Sequence, residues 1–177
     1  QENAYPLQMS EGKKSHRPEV PGLNGLVTAG HPLASMAGLR ILMSGGNAID
    51  AAVAVLATLN VVRPQMSGAG GNGFLTYFDK SSGTVRSLTA AGAAPEALVA
   101  GDRLAEELNK GIYAGVVPGL LGGWVSMLKE FGTMSLSEVL EPAMEYATEG
   151  HPIEASVVQA IASQEDLFRQ YPTSARM

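Results

Sequence analysis

The chain has 177 residues, 45% hydrophobic and 16% charged, a balance that suits one folded unit with a sizeable core and not a disordered segment. Lys and Arg total 12 against 17 Asp and Glu, and the resulting net charge of −5 argues against a surface built to neutralise nucleic-acid phosphates. With no cysteine, disulfide scaffolds, thiol nucleophiles and Cys-ligated metal sites are excluded within this sequence.

Residues 1–20 are polar, carry Lys13, Lys14 and Arg17, and lack helical or strand periodicity, so they read as a flexible N-terminal arm ahead of a folded region spanning 21–177. The absence of an initiator methionine before Gln1 leads to the expectation that a leader has been removed, by secretion or by trimming. No apolar run long enough to span a membrane is visible. From 21 to 100 the only charged residues are Arg40, Asp50, Arg63, Asp79, Lys80, Arg86 and Glu96, which marks this stretch as the core.

Residues 25–29 read as a short buried strand. A helix then starts at His31-Pro32, where proline needs no backbone donor, and continues through Leu33, Met36, Ala37 and Ile41 to a Gly45-Gly46 stop. Asn47 caps a second helix over 48–62, whose apolar residues fill every face and predict burial almost all round. A glycine-rich loop follows, then β-type runs at 74–78 and 84–88 joined by a Ser/Gly turn, which predict a hairpin. Helices are expected over 95–109, 120–131, 135–149 and 154–170, with Ser135 and Glu138 forming a capping box. The pattern is α+β.

Gly68-Ala69-Gly70-Gly71-Asn72-Gly73 matches the glycine spacing of a dinucleotide fingerprint. That chemistry needs a strand before the loop and a helix after it, so that a helix N-terminus meets the pyrophosphate. Here a helix precedes and a strand follows, so close backbone packing is the better reading. His16, His31 and His151 have no partners at metal-ligand spacing, and the His-Pro pairs read as helix-entry turns. Asp50, an isolated charge near a helix start, reads as a carboxylate satisfying backbone donors and not as a catalytic acid. No serine-hydrolase elbow is present, and no cofactor is implied.

Three ordered blocks resemble the γ-glutamyltransferase (γ-glutamyltranspeptidase) family: Leu26-Val27-Thr28-Ala29-Gly30-His31-Pro32-Leu33-Ala34-Ser35, Ile41-Leu42-Met43-Ser44-Gly45-Gly46-Asn47-Ala48-Ile49-Asp50-Ala51-Ala52-Val53-Ala54, and Ser67-Gly68-Ala69-Gly70-Gly71-Asn72-Gly73-Phe74. The likeness continues through Val117-Pro118-Gly119 and Glu149-Gly150-His151-Pro152-Ile153. The resemblance implies a partial N-terminal-nucleophile hydrolase αββα sandwich, with 21–177 as the N-terminal portion of a large subunit. Its partners would be a small subunit cut from the same precursor and a small-molecule amide or peptide substrate. The family's nucleophile, a threonine freed at the start of the small subunit, would lie outside this chain. None of Thr28, Thr58, Thr76, Thr84, Thr89, Thr133, Thr148 and Thr173 stands in the family's Thr-Thr-His setting. By family habit the location would be periplasmic or extracellular.

One departure bears on substrate. The family's Arg-Glu pair, whose arginine holds the α-carboxylate of a γ-glutamyl donor, aligns by count from Ala94-Pro95 with Ala91 and Gly92. These two would line the acyl pocket without the carboxylate clamp, since Arg86 is offset along the strand and Arg103 comes later. The expectation is γ-glutamyl transfer or hydrolysis on glutathione-type substrates with altered donor recognition. An acylase for a non-glutamyl amide and a non-catalytic scaffold remain alternatives.

Overall fold

The computed structural model describes residues 20–96 and 111–176. The arm, apart from Val20, and all but the first residues of the helix expected over 95–109, Arg103 included, lie outside the described residues. The elements are α1 (Pro32–Met43), α2 (Ala48–Val62), β1 (Gly73–Asp79), β2 (Thr84–Ala90), a 3-10 turn (Gly111–Ala114), α3 (Leu120–Phe131), α4 (Leu136–Glu149), α5 (Ala155–Ser163), α6 (Glu165–Arg169) and a closing 3-10 turn (Ser174–Arg176). This mixture of helix and hairpin is α+β.

Helix α1 begins where His31, in extended conformation, turns its Nδ1 to accept the Leu33 amide at 3.1 Å, with Pro32 as first helical residue. Gly45, at φ 93°, takes the left-handed conformation that ends the helix. Asn47 then caps α2 by accepting from the Ile49 and Asp50 amides, while Asp50 reaches back to the Asn47 amide at 2.8 Å. After Ala48 no residue of α2 is exposed, as its all-round apolar pattern predicts.

That helix is the axis of the core. Ile49, Val53, Ala54 and Ala57 pack with Ile41 of α1, with Leu120, Trp124, Met127 and Leu128 of α3, and with Val139 and Ala143 of α4. Arg40 of α1 and Glu145 of α4 close the outer rim through two parallel bonds of 2.6 and 2.9 Å. The Ser135–Glu138 capping box forms as predicted, with Ser135 N donating to Glu138 at 2.7 Å and Glu138 N donating to Ser135 Oγ at 3.3 Å.

Strands β1 and β2 pair antiparallel from Gly73↔Ala90 to Asp79↔Thr84, so both exceed the predicted runs. At the turn, the hydroxyls of Ser82 and Ser81 and the Ser81 amide donate to Asp79 and hold its carboxyl down at about 2. One sheet face carries Leu75, Tyr77, Leu88 and Ala90 and packs inward, with the Tyr77 and Phe131 rings 5.3 Å apart. The other face carries Phe74, Phe78 and Val85, which are 75%, 59% and 66% exposed.

Two expectations are corrected. Residues 25–29 form no strand, because no strand among the described residues lies beside them. Leu26 faces outward while Val27 rests against Gly38 of α1, so the segment is a strap over that helix. The expected 154–170 helix breaks at Gln164 (φ −114°, ψ 8°), where Ser163 Oγ takes the Ala160 carbonyl and competes with the helical ladder. His151-Pro152 stands ahead of that helix, but its cap is Glu154.

Candidate functional site

Ala91 and Gly92 follow β2 directly. Their surroundings come from three stretches: the glycine loop between α2 and β1, the end of the hairpin, and residues 116–120 leading into α3. The Gly71 carbonyl accepts from the Gly119 and Leu120 amides, both at 3.1 Å, and the Gly92 amide donates to the Val117 carbonyl at 3.2 Å. These bonds lay the 117–119 strap across both the loop and the post-hairpin segment.

The crossing is tight because glycines stand at the contacts. A Cβ on Gly119 would lie 2.5 Å from the Ala90 carbonyl oxygen, and one on Gly123 would lie 2.3 Å from the Ala90 Cβ. A Cβ on Gly73 would meet the Leu120 side chain at 2.6 Å, and one on Gly92 would meet Val117 at 2.5 Å. Within the glycine loop itself Gly68 and Gly70 stand in open space, Gly71 joins the crossing through its carbonyl and Gly73 lies against the Leu120 side chain, so the close backbone packing expected of the whole loop is confined to its end; the loop still leads from a helix into a strand and not into the helix N-terminus of a phosphate cradle.

Ala91 is exposed and Gly92 half-buried at this crossing. The structure brings them together with Val117 and Gly119. Arg86, paired opposite Tyr77 toward the turn end of β2, is not part of the crossing. No charged residue occurs in 64–78, 87–95 or 111–128, so the crossing is built wholly from uncharged chain. The role of 117–119 is what sequence reading missed. Val117-Pro118-Gly119 stands out as a motif, but its pairing with 90–92 spans intervening chain and leaves no periodicity to detect.

Two polar clusters stand apart from the crossing. Asp50 is fully buried and accepts from the Thr133 amide at 3.0 Å, the Thr133 hydroxyl at 2.6 Å and the Met134 amide at 3.2 Å, besides its own capping bond. Burial alone would raise its pKa. The hydroxyl of Thr133 and the amides of Asn47, Thr133 and Met134 outweigh burial and hold the carboxyl below its ordinary value. Asp50 is thus a structural acceptor, as its position at a helix start predicts. In the second cluster, Glu154 lies 3.3 Å from His31 Nε2 and 3.7 Å from Arg63 Nε, while Arg63 donates to the Gly30 carbonyl at 2.9 Å. This ties the starts of α1 and α5 to the end of α2. Among the described residues no group of three or more His, Cys, Asp or Glu converges as a metal site would require, and no helix is long and apolar enough to cross a membrane.

The sequence model of the family described as Gamma-glutamyltranspeptidase matches residues 34–177. The chain belongs to the gamma-glutamyltranspeptidase family. Among curated relatives, the glutathione hydrolase proenzyme of Bacillus subtilis (strain 168) is 40% identical over 158 residues, covering 84% of this chain and 27% of that protein. The Acylase ACY 1 proenzyme of Pseudomonas sp. (strain V22) is 41% identical over 142 residues, covering 73% of this chain and 25% of that protein. The crystal structure of Helicobacter pylori gamma-glutamyltranspeptidase superimposes with a TM-score of 0.83 at 32% identity, over 90% of this chain and 47% of that one. The chain therefore spans about a quarter of the length of these curated gamma-glutamyltranspeptidase relatives. It corresponds to the large-subunit portion of a precursor.

Proposed function

We propose that this chain is the N-terminal portion of the large subunit of an N-terminal-nucleophile amidohydrolase or acyltransferase, completed as an αββα sandwich by the rest of its precursor. The observation that carries the reading is the one-sided hairpin. Helices cover its inner face, whereas Phe74, Phe78 and Val85 lie open on the other, the state of one sheet layer awaiting a second. Family membership supplies the rest.

In this reading the small subunit begins with a threonine whose free α-amine takes the hydroxyl proton as Oγ attacks the substrate amide carbon. The C–N bond breaks, the leaving amine takes a proton, and the acyl group rests on Oγ as an ester. Water or an acceptor amine then removes it. The chain described here supplies no nucleophile; Ala91 and Gly92 line the acyl pocket. Glutathione hydrolysis is the activity in the name of the Bacillus subtilis relative, and γ-glutamyl transfer or hydrolysis on glutathione-type substrates is the first reading for this chain.

A specific observation favours a second reading, an acylase for a non-glutamyl amide. Counted from Ala94-Pro95, Ala91 takes the position of the family's donor-binding arginine, and the surrounding stretches carry no charge. One experiment tests both. The full precursor is expressed, intact-mass analysis looks for a small subunit beginning with threonine, and acids released from a panel of amides are quantified. Release of glutamate supports the first reading and release of other acids the second. A precursor that neither cleaves itself nor hydrolyses any amide would leave a non-catalytic scaffold.

A further inference from the structure

We propose that Val117 is a specificity-determining residue and that the crossing it completes selects amides of uncharged acyl groups. This rests on the reading of the chain as an amidohydrolase with Ala91 and Gly92 in its acyl pocket. Gly92 is closed to any side chain: its Cβ would lie 2.5 Å from both Val117 Cγ1 and the Val117 carbonyl oxygen, and 2.6 Å from Val117 Cβ. A side-chain methyl can turn aside, but a backbone oxygen cannot. The strap is held from behind, since Gly119 already lies against Ala90 and the Gly119 and Leu120 amides are fixed to the Gly71 carbonyl. The place a side chain at 92 would fill is therefore filled by Val117, a residue that remains 39% exposed beside exposed Ala91.

The chemistry of that surface follows from its composition. Stretches 87–95 and 111–128 contain no charged residue, and the Gly92 amide is already committed to Val117. A carboxylate brought here loses water and meets no cation from these two stretches, whereas a neutral acyl chain gives up little and gains contact with the Val117 and Ala91 methyls. Shape then discriminates among neutral chains, because each methylene in an apolar pocket changes relative rates by about 10–200-fold.

The test uses the full-length, self-cleaving precursor and measures kcat/KM on p-nitroanilides of short, long and branched neutral acids and of γ-linked glutamate. Val117→Ala, which removes two methyl groups, is expected to raise the ratio of branched to short acyl groups by about tenfold. Val117→Ile, a swap at a part-exposed side chain that spares the fold, is expected to lower the same ratio. Unchanged ratios in both variants, with subunit cleavage intact, overturn the role of Val117. A wild-type preference for γ-glutamyl over every neutral anilide overturns the charge argument. Wild-type protein that cleaves no amide at all sinks the amidohydrolase reading beneath the proposal, a result distinct from either.

Discussion

Asp50 takes both protons that Thr133 has to give, the amide at 3.0 Å and the hydroxyl at 2.6 Å, across 83 residues of chain. The same carboxylate closes the capping box of α2, so one buried group fixes a helix start and the turn between α3 and α4. Gly132 makes the approach possible, since a Cβ there would lie 2.7 Å from Asp50 Oδ1.

Asp50→Asn replaces an acceptor with a donor that faces backbone N–H groups. The expected loss is about 2–4 kcal/mol in denaturant unfolding of the precursor, from hydrogen bonds to a charged, buried group. The pH dependence has a definite sign. A folded-state pKa held below the unfolded value, about 3.9, gives stability that is complete above it and lost as pH falls through the folded value. Wild type should therefore lose this contribution in acid, and the Asn variant should show a shallower acid limb as pH falls below about 3.9. Parallel acid limbs in the two proteins would refute the assignment.

Adjacent glycines of α3 make opposite predictions. Gly123→Ala drives a methyl into Ala90 and should destabilise by about 1–3 kcal/mol through overpacking. Gly122→Ala meets nothing within 4 Å on the described chain, and in an exposed helix interior it should stabilise by about 1 kcal/mol. Thermal melts of the two single variants decide the matter. A Gly122→Ala variant that instead loses stability would show that another part of the precursor approaches α3 there.

The Arg40–Glu145 bridge is well formed, and its bonds hold the guanidinium pKa above and the carboxyl pKa below their ordinary values. Both side chains remain about 40% exposed, so solvent screens the pair. Glu145→Gln should cost little stability, and that cost should shrink as salt rises from low to high. A salt-independent loss would point to packing and not charge.

If Ala91 occupies the donor-carboxylate position, Ala91→Arg in the self-cleaving precursor should raise kcat/KM on γ-glutamyl p-nitroanilide by at least about tenfold, a charge-assisted bond contributing about 1.5–3 kcal/mol. Unchanged kinetics would remove position 91 from the pocket.

Much of the fold was legible because its signals are local. Asn47, Gly45, Ser135 and Glu138 mark helix ends through bonds made within a few residues, and α1, α2, α3, α4 and the hairpin lie where periodicity places them. The strap at 25–29 misled because an apolar, β-branched run looks the same whether or not a neighbouring strand is there to pair with it. The α5 break misled because it depends on one serine hydroxyl. At the site, Ala91 and Gly92 could be picked out only by counting along a family motif. Their meeting with Val117 and Gly119 is a long-range fact that no window of sequence contains.

The distance in sequence between Asp50 and Thr133 also sets a schedule for biosynthesis. At a translation rate of about 5–20 residues per second, Thr133, 83 positions after Asp50, emerges roughly 4–17 s later. For that interval α2, the most apolar helix among the described residues, is outside the ribosome with its own Asn47 cap but without the turn that seals it. The protein is therefore an expected client of ribosome-associated chaperones during that window, and stalling synthesis before and after Thr133 should switch chaperone crosslinking to α2 from strong to weak.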